Sequence, residues 1–200
     1  AQDEAIAASV VSETVEAWGG VDILVAAAAV SAPGKLPDTT PLEWDRCFDV
    51  NIKAVYIWMR ACIPAMAKQG RGSIITYSSQ LAAAGGRGHA IYVATKGAVI
   101  ALTQTVALDH AKDGIRANIL VPGAIQTPGM ESSFQRANDG GERRRRSLER
   151  HPLGRFGRPE EVAQAAFTRA MAELILEAVH SSGLTLYAPR AFSKMSTHSR

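Results

Sequence analysis

The stretch Ser73-Ile74-Ile75-Thr76-Tyr77-Ser78-Ser79, then Gly85-Gly86-Arg87-Gly88, then Ala90-Ile91-Tyr92-Val93-Ala94-Thr95-Lys96 decides the fold. The first run, over 73–77, reads as a buried strand. The glycine-rich loop then leads into an apolar segment that reads as a helix over about 90–112.

Working outward in both directions, helix-like and strand-like segments alternate. Toward the N-terminus, Ile6, Val10, Val11, Val15 and Trp18 fall close to helical spacing over 3–18, and Gly19-Gly20 stops them. Residues 21–30 form a short apolar run, read as a second buried strand. Thr40-Pro41-Leu42-Glu43 is a capping box with Pro at the first helical position. It opens a helix whose apolar face runs Phe48, Ile52, Val55, Met59, Ile63 and Met66, and Gly70 ends it. Toward the C-terminus, 115–121 is a third buried strand closed by Pro122-Gly123. The polar residues 124–150 read as a long loop with at most short helices, and Pro159-Glu160-Glu161 starts a last helix. Alternation of this kind predicts an α/β fold, a parallel sheet with helices on both faces.

Composition sets the outer limits. The 200 residues are 46% hydrophobic and 20% charged, a globular balance. A chain this long buries about 70% of its unfolded surface, enough to fold without disulfide or metal staples. Cys47 and Cys62, the two cysteines, lie in apolar helix-like sequence and fit a reducing, cytoplasmic setting. No stretch approaches the roughly 20 unbroken apolar residues of a membrane span. The opening residues, with two acids and no basic region, do not read as a signal peptide. The net charge is +3, and Arg190, Lys194 and Arg200 in the tail account for it. No chain-wide basic field for nucleic acid is expected. The run Arg143, Arg144, Arg145, Arg146 reads first as a solvated face with Glu142 and Glu149 as local partners, and second as an anion site.

Three features carry chemistry. Tyr92 and Lys96, four residues apart on a helix, project from one face. A fixed ammonium beside a phenol favours the phenolate, so the pair is expected to titrate nearer neutrality and serve as an acid–base catalyst. On its own the pairing is a common coincidence. Ser79 follows a strand, at the end where ligands bind in open parallel sheets. A turn-capping role is the plain alternative for it and for Ser78. Asn51 sits on the apolar face of its helix, where an amide needs partners or costs several kcal/mol. A buried structural amide is the plain alternative there.

Together these residues resemble the short-chain dehydrogenase/reductase family. Tyr92-Val93-Ala94-Thr95-Lys96 matches its Tyr-x-x-x-Lys, and Ser79 stands at the spacing of its catalytic serine. Phe48-Asp49-Val50-Asn51-Ile52-Lys53 is similar to the segment carrying its catalytic asparagine. Val121-Pro122-Gly123-Ala124-Ile125-Gln126-Thr127 is similar to its Pro-Gly loop. Pro152-Leu153-Gly154-Arg155-Phe156-Gly157-Arg158-Pro159-Glu160-Glu161-Val162 resembles the lead-in to its last large helix.

The resemblance implies a Rossmann-like domain over 1–188 with a basic, disordered tail over 189–200, acting as an NAD- or NADP-dependent oxidoreductase on a small alcohol or ketone. Tyr92 would exchange the substrate proton, Lys96 would hold the nicotinamide ribose and lower the tyrosine pKa, and Ser79 would orient the substrate oxygen. Asn51 would extend a proton relay from Lys96 through a backbone-bound water. Pro122, Gly123, Ile125 and Thr127 would line the nicotinamide, Thr127 touching its phosphate or carboxamide, and Ala28 would border the cofactor. The segment after Thr127 would be the substrate lid. No metal, nucleic acid or membrane is implied. A homo-oligomer through the helices at about 42–68 and 90–112 is expected.

The sequence also departs from the family. It carries no Gly-x-x-x-Gly-x-Gly turn for the pyrophosphate and lacks the family's first strands, so an incomplete chain is expected. Ala26-Ala27-Ala28-Ala29 replaces the usual Asn-Asn-Ala-Gly, and the pattern after Ala166 is unfamiliar. The strand over 21–30 is therefore expected to present an exposed apolar edge and poor solubility. The rival reading is a catalytically inactive module that pairs with another chain through its helices.

Overall fold

The structure, a computed structural model, describes residues 2–135 and 139–171. The chain divides into two units, Ala1–Ala170 and Met171–Arg200. The sequence-based domain boundary at 188, the tail beyond it and the apolar run over 184–187 lie outside the described residues.

Three strands, β1 (Ile23–Ala26), β2 (Gly72–Tyr77) and β3 (Ile115–Leu120), form a parallel sheet in the order β1-β2-β3. Register places Leu24 beside Ile74 and Ile74 beside Ala117, so these side chains share one face. On that face lie α3 (Ala54–Gln69) and α5 (Ala90–Asp109), the latter preceded by the single turn α4 (Leu81–Ala84), with α1 (Glu4–Trp18) packed on α3. The core between sheet and helices contains Val55, Met59, Cys62, Met66, Ile74, Val99 and Ile115. Helix α8 (Pro159–Ala170) packs on β2 and β3, where Arg116, a register partner of Ser73, donates to the Arg169 and Ala170 carbonyls from the opposite face. On β1, Ile23 and Val25 point to that second face and are 41% and 49% exposed.

Local signals explain most element ends. Asp3 caps α1 by accepting from the Ala5 and Ile6 N–H groups. Thr40 and Glu43 form a reciprocal capping box that starts α2 (Pro41–Phe48). Gly70 closes α3 in the left-handed region, and a Cβ at Gly114 would collide with the Gly70 carbonyl oxygen.

Four expectations need correction. The strand predicted over 21–30 spans only Ile23–Ala26, because β2 pairs with it only through Ser73 to Thr76. The helix predicted from Thr40 to Gly70 is interrupted by a π-helical turn at Asp49–Lys53 that turns Asn51 inward. The segment 124–150, expected to be mostly loop, contains α6 (Pro128–Gln135) and the ten-residue α7 (Gly140–Glu149). Finally, α5 has the length and hydropathy of a membrane span, although Thr95, Lys96 and Thr103 on it are buried against the domain.

Candidate active site

The carboxyl ends of the three strands meet in one place, laced together by backbone bonds. Ser78 N–H donates to the Leu120 carbonyl at 2.9 Å and Gln80 N–H to the Pro122 carbonyl at 3.0 Å, joining the segments after β2 and β3. After β1, both polar groups of the Val30 backbone bond to the Asn51 side chain at 2.8 Å. Asn51 also donates to Thr95 Oγ1, which in turn donates to the Tyr92 carbonyl. These are bonds of a buried structural amide, made by the side chain; the relay implied for Asn51 runs through its backbone.

Tyr92 and Lys96 lie within the first two turns of α5. Lys96 Nζ sits 5.7 Å from the centre of the Tyr92 ring and donates to the Tyr77 carbonyl at 2.8 Å. Lys96 is only 3% exposed. Its carbonyl accepts from the Ser78 hydroxyl at 2.8 Å, so Ser78 pins β2 to the helix. Ser79 does two things: its Oγ accepts from the Leu81 N–H at 3.2 Å, and its side chain acts on the Tyr92 phenol, drawing that group's pKa down. The fold thus brings Ser79, Tyr92 and Lys96 together, with Asn51 one layer behind them.

Electrostatics differ from expectation. Burial pushes the Tyr92 phenol up from its usual value, and Ser79 pulls it back only in part. Burial also draws the Lys96 ammonium down to about 8. The expected drop of the tyrosine pKa under the lysine is therefore not found in this arrangement; desolvation of the ring outweighs the lowering by Ser79. Raised above the ordinary phenol value of 10.0, Tyr92 is in its neutral form at neutral pH.

The Pro-Gly loop is held from two sides. Ile125 bridges to Gly157, with Gln126 N–H donating to the Gly157 carbonyl at 2.8 Å and Gly157 N–H to the Ala124 carbonyl at 3.0 Å. Thr127 Oγ1 accepts from the Met130 N–H at 3.1 Å, capping α6 and keeping its own O–H to donate. Exposed Ala28 lines an apolar groove of about 260 Å³ with Val25, Ala27, Val50, Ala54 and Trp58. Sequence reading missed Gln80 and His151, which lie against Gly123. No local pattern marks them, since their partners are distant in sequence.

The arginine run is a solvated helix face. Arg145 pairs with Glu142 and Glu149, Arg143 and Arg146 with Asp139, and Arg144 with Glu131. In the lead-in to α8, Arg155 grips Glu161 through two bonds of 2.8 and 2.7 Å. Those bonds, with the Arg158 N–H, hold the Glu161 carboxyl down at about 2.

For a nicotinamide nucleotide the test of fit is Lys96. Among the described residues, one acceptor, the Tyr77 carbonyl, bonds its Nζ, while an ammonium carries three donors. A nearly buried cation with donors to spare, beside a phenol, suits the hydroxyls of a ribose.

A parallel α/β sheet with Ser, Tyr and Lys at the carboxyl ends of its strands defines a class of oxidoreductase-type folds. Residues 1–172 match the family model described as Enoyl-(Acyl carrier protein) reductase. The chain belongs to the short-chain dehydrogenase/reductase family. It is 39% identical over 155 residues to a 3-oxoacyl-(acyl-carrier-protein) reductase of Thermotoga maritima, covering 78% of this chain and 61% of that one. It is 37% identical over 179 residues to the L-fucose dehydrogenase of Mus musculus, covering 89% and 63%. A solved structure of ElxO with NADP bound superposes with a TM-score of 0.77 at 29% identity, over 84% of this chain and 67% of that one. The chain spans 53% to 63% of the length of the first three curated relatives it matches.

Proposed function

We propose that this chain carries the proton-transfer end of an oxidoreductase that moves a hydride between NAD or NADP and a secondary alcohol or ketone. The observation that supports it most is the convergence of Ser79, Tyr92 and Lys96 at one end of the sheet. The named activities of the relatives and the NADP held by the ElxO structure agree with it.

A bound nicotinamide supplies or takes up the hydride. The chain's own residues do the rest. In the reducing direction Tyr92, neutral and half-buried, donates its proton to the substrate oxygen as that oxygen gains charge. The Ser79 hydroxyl, acting on the same phenol, shares the developing charge and fixes the oxygen's position. Lys96 offers its spare N–H donors to the ribose and stabilises the tyrosinate left behind. Pro122, Gly123, Ile125 and Thr127 line the nicotinamide side, with the Thr127 O–H free to donate, and Ala28 borders the cofactor. In the oxidising direction the same groups run in reverse, Tyr92 taking the alcohol proton.

We further propose a homo-oligomer that pairs through the outer faces of α3 and α5, where Tyr56 and Leu108 are 44% and 81% exposed. Light scattering of the purified chain tests this. The enzymatic reading is tested by titrating NADH and NADPH while following nicotinamide fluorescence. Saturable enhancement is expected; an unchanged signal at millimolar nucleotide would sink it.

A further inference from the structure

We propose that His151 is a positioning residue that ties the lid helix α7 to the Pro-Gly loop and holds that loop ready for the nicotinamide. Its functional half rests on the cofactor reading above; its structural half does not.

Each ring nitrogen of His151 has its own backbone partner. Nδ1 lies 2.7 Å from the Ser147 carbonyl in the last turn of α7. A carbonyl only accepts, so Nδ1 carries the hydrogen. The Ala124 N–H donates to Nε2 at 3.2 Å, so Nε2 is bare. Both bonds form together only in the neutral Nδ1–H tautomer.

Packing sets the ring in place. The edge of His151 meets Phe156, which is 4% exposed, with centroids 5.6 Å apart. Phe134 of α6 stacks on the same Phe156 at 6.2 Å. The charged group over the Phe156 ring is Arg144 of α7, itself paired with Glu131 of α6. One aromatic cluster thus joins α6, α7 and the segment before α8, and the imidazole is the element of it that bonds the loop.

The loop end of the bond is the informative one. A Cβ at Gly123 would lie 3.3 Å from His151 Nε2 and from Gln80 Oε1. Ala124 is gripped on its carbonyl side by Gly157 and on its N–H side by His151. Losing the imidazole bond frees the N–H side of Ala124, next to Gly123 and Ile125, while the Gly157 bridge persists.

Three measurements on the full chain decide the matter. Ring nitrogen NMR shifts of the wild-type protein should show a protonated Nδ1 and a bare Nε2; the opposite tautomer overturns the proposal. Hydrogen exchange of the Ala124 amide should quicken about fivefold to tenfold in His151→Phe, which keeps the ring packing but loses the acceptor. His151→Gln, which puts an amide oxygen near the Nε2 position, should restore much of the protection, an order a purely packing role would reverse. Unchanged exchange in His151→Phe overturns the tether. If that variant unfolds throughout, with the Val99 amide also exposed, His151→Gln decides: Ala124 unprotected beside a protected Val99 overturns it. Affinity for NADH or NADPH should fall about fivefold to tenfold in His151→Phe and recover in His151→Gln. Equal affinity in all three proteins removes the functional half. No binding by the wild type sinks the cofactor reading, leaving the tautomer and exchange results to judge the tether.

Discussion

Asn51 holds both polar groups of the Val30 backbone: its Nδ2 donates to the carbonyl and its Oδ1 accepts from the N–H, each at 2.8 Å. The residue is wholly buried in the π-helical turn, and its third bond goes to Thr95 on α5. One amide therefore fastens the segment after β1 to the helix that bears Tyr92 and Lys96.

Asn51→Ala leaves the Val30 N–H and carbonyl and the Thr95 hydroxyl short of a partner. A loss of about 2 to 4 kcal/mol is expected from several unmade buried bonds. Urea denaturation measures it. Asn51→Asp keeps one acceptor but sets a carboxylate oxygen against the Val30 carbonyl, so it should cost as much or more. A change below about 0.5 kcal/mol in both variants would refute the clamp.

Tyr92→Phe removes the proton carrier while keeping the ring in place. Turnover should fall at least a hundredfold to ten-thousandfold with little change in melting temperature. Ser79→Ala should retain some activity. Because Ser79 pulls the Tyr92 pKa down, its removal raises that pKa, and the tyrosine limb of the pH–rate profile should move to higher pH.

Lys96 gives a stability signature independent of turnover. Its folded pKa of about 8 lies below the ordinary lysine value of 10.5. Between those two pH values the unfolded chain binds more protons, so this group's contribution makes the folded state gain stability as pH rises. Below the lower value its contribution is level, with burial of the charged form already at full cost. Buried Cys62, with its thiol pushed up to about 11, acts oppositely as the pH rises above its ordinary value. The stability difference between wild type and Lys96→Met isolates the lysine. That difference should shift in favour of the wild type by about 3 kcal/mol across the window. A flat difference from urea melts would show Lys96 to be ordinarily solvated.

Among the described residues, the outer edge of β1 has no strand partner, and Ile23 and Val25 are 41% and 49% exposed beside it. Edges of this kind recruit other strands. Val25→Lys should reduce concentration-dependent light scattering while leaving far-ultraviolet circular dichroism unchanged. Equal scattering by the two proteins would place self-association elsewhere.

Much of this was legible in the residues. Asp3, the Thr40–Glu43 box and Gly70 act on neighbours within one turn, so helix ends follow from local chemistry. The alternation of apolar runs with helical spacing gave the parallel α/β class, and Tyr-x-x-x-Lys placed two reactive groups on one helix face. The length of β1 was not legible, because it ends where its pairing with β2 ends. Nor was the ten-residue helix α7, whose ion pairs with Asp139 and Glu149 depend on the helix itself.

The class of fold and the family could be read from residue order alone, because those rest on residue type and short-range spacing. The π-helical turn, the direction of the Tyr92 shift and the two bonds of His151 came only from the tertiary arrangement. Each depends on how far a group is withdrawn from water and on which distant backbone atoms are brought to meet it.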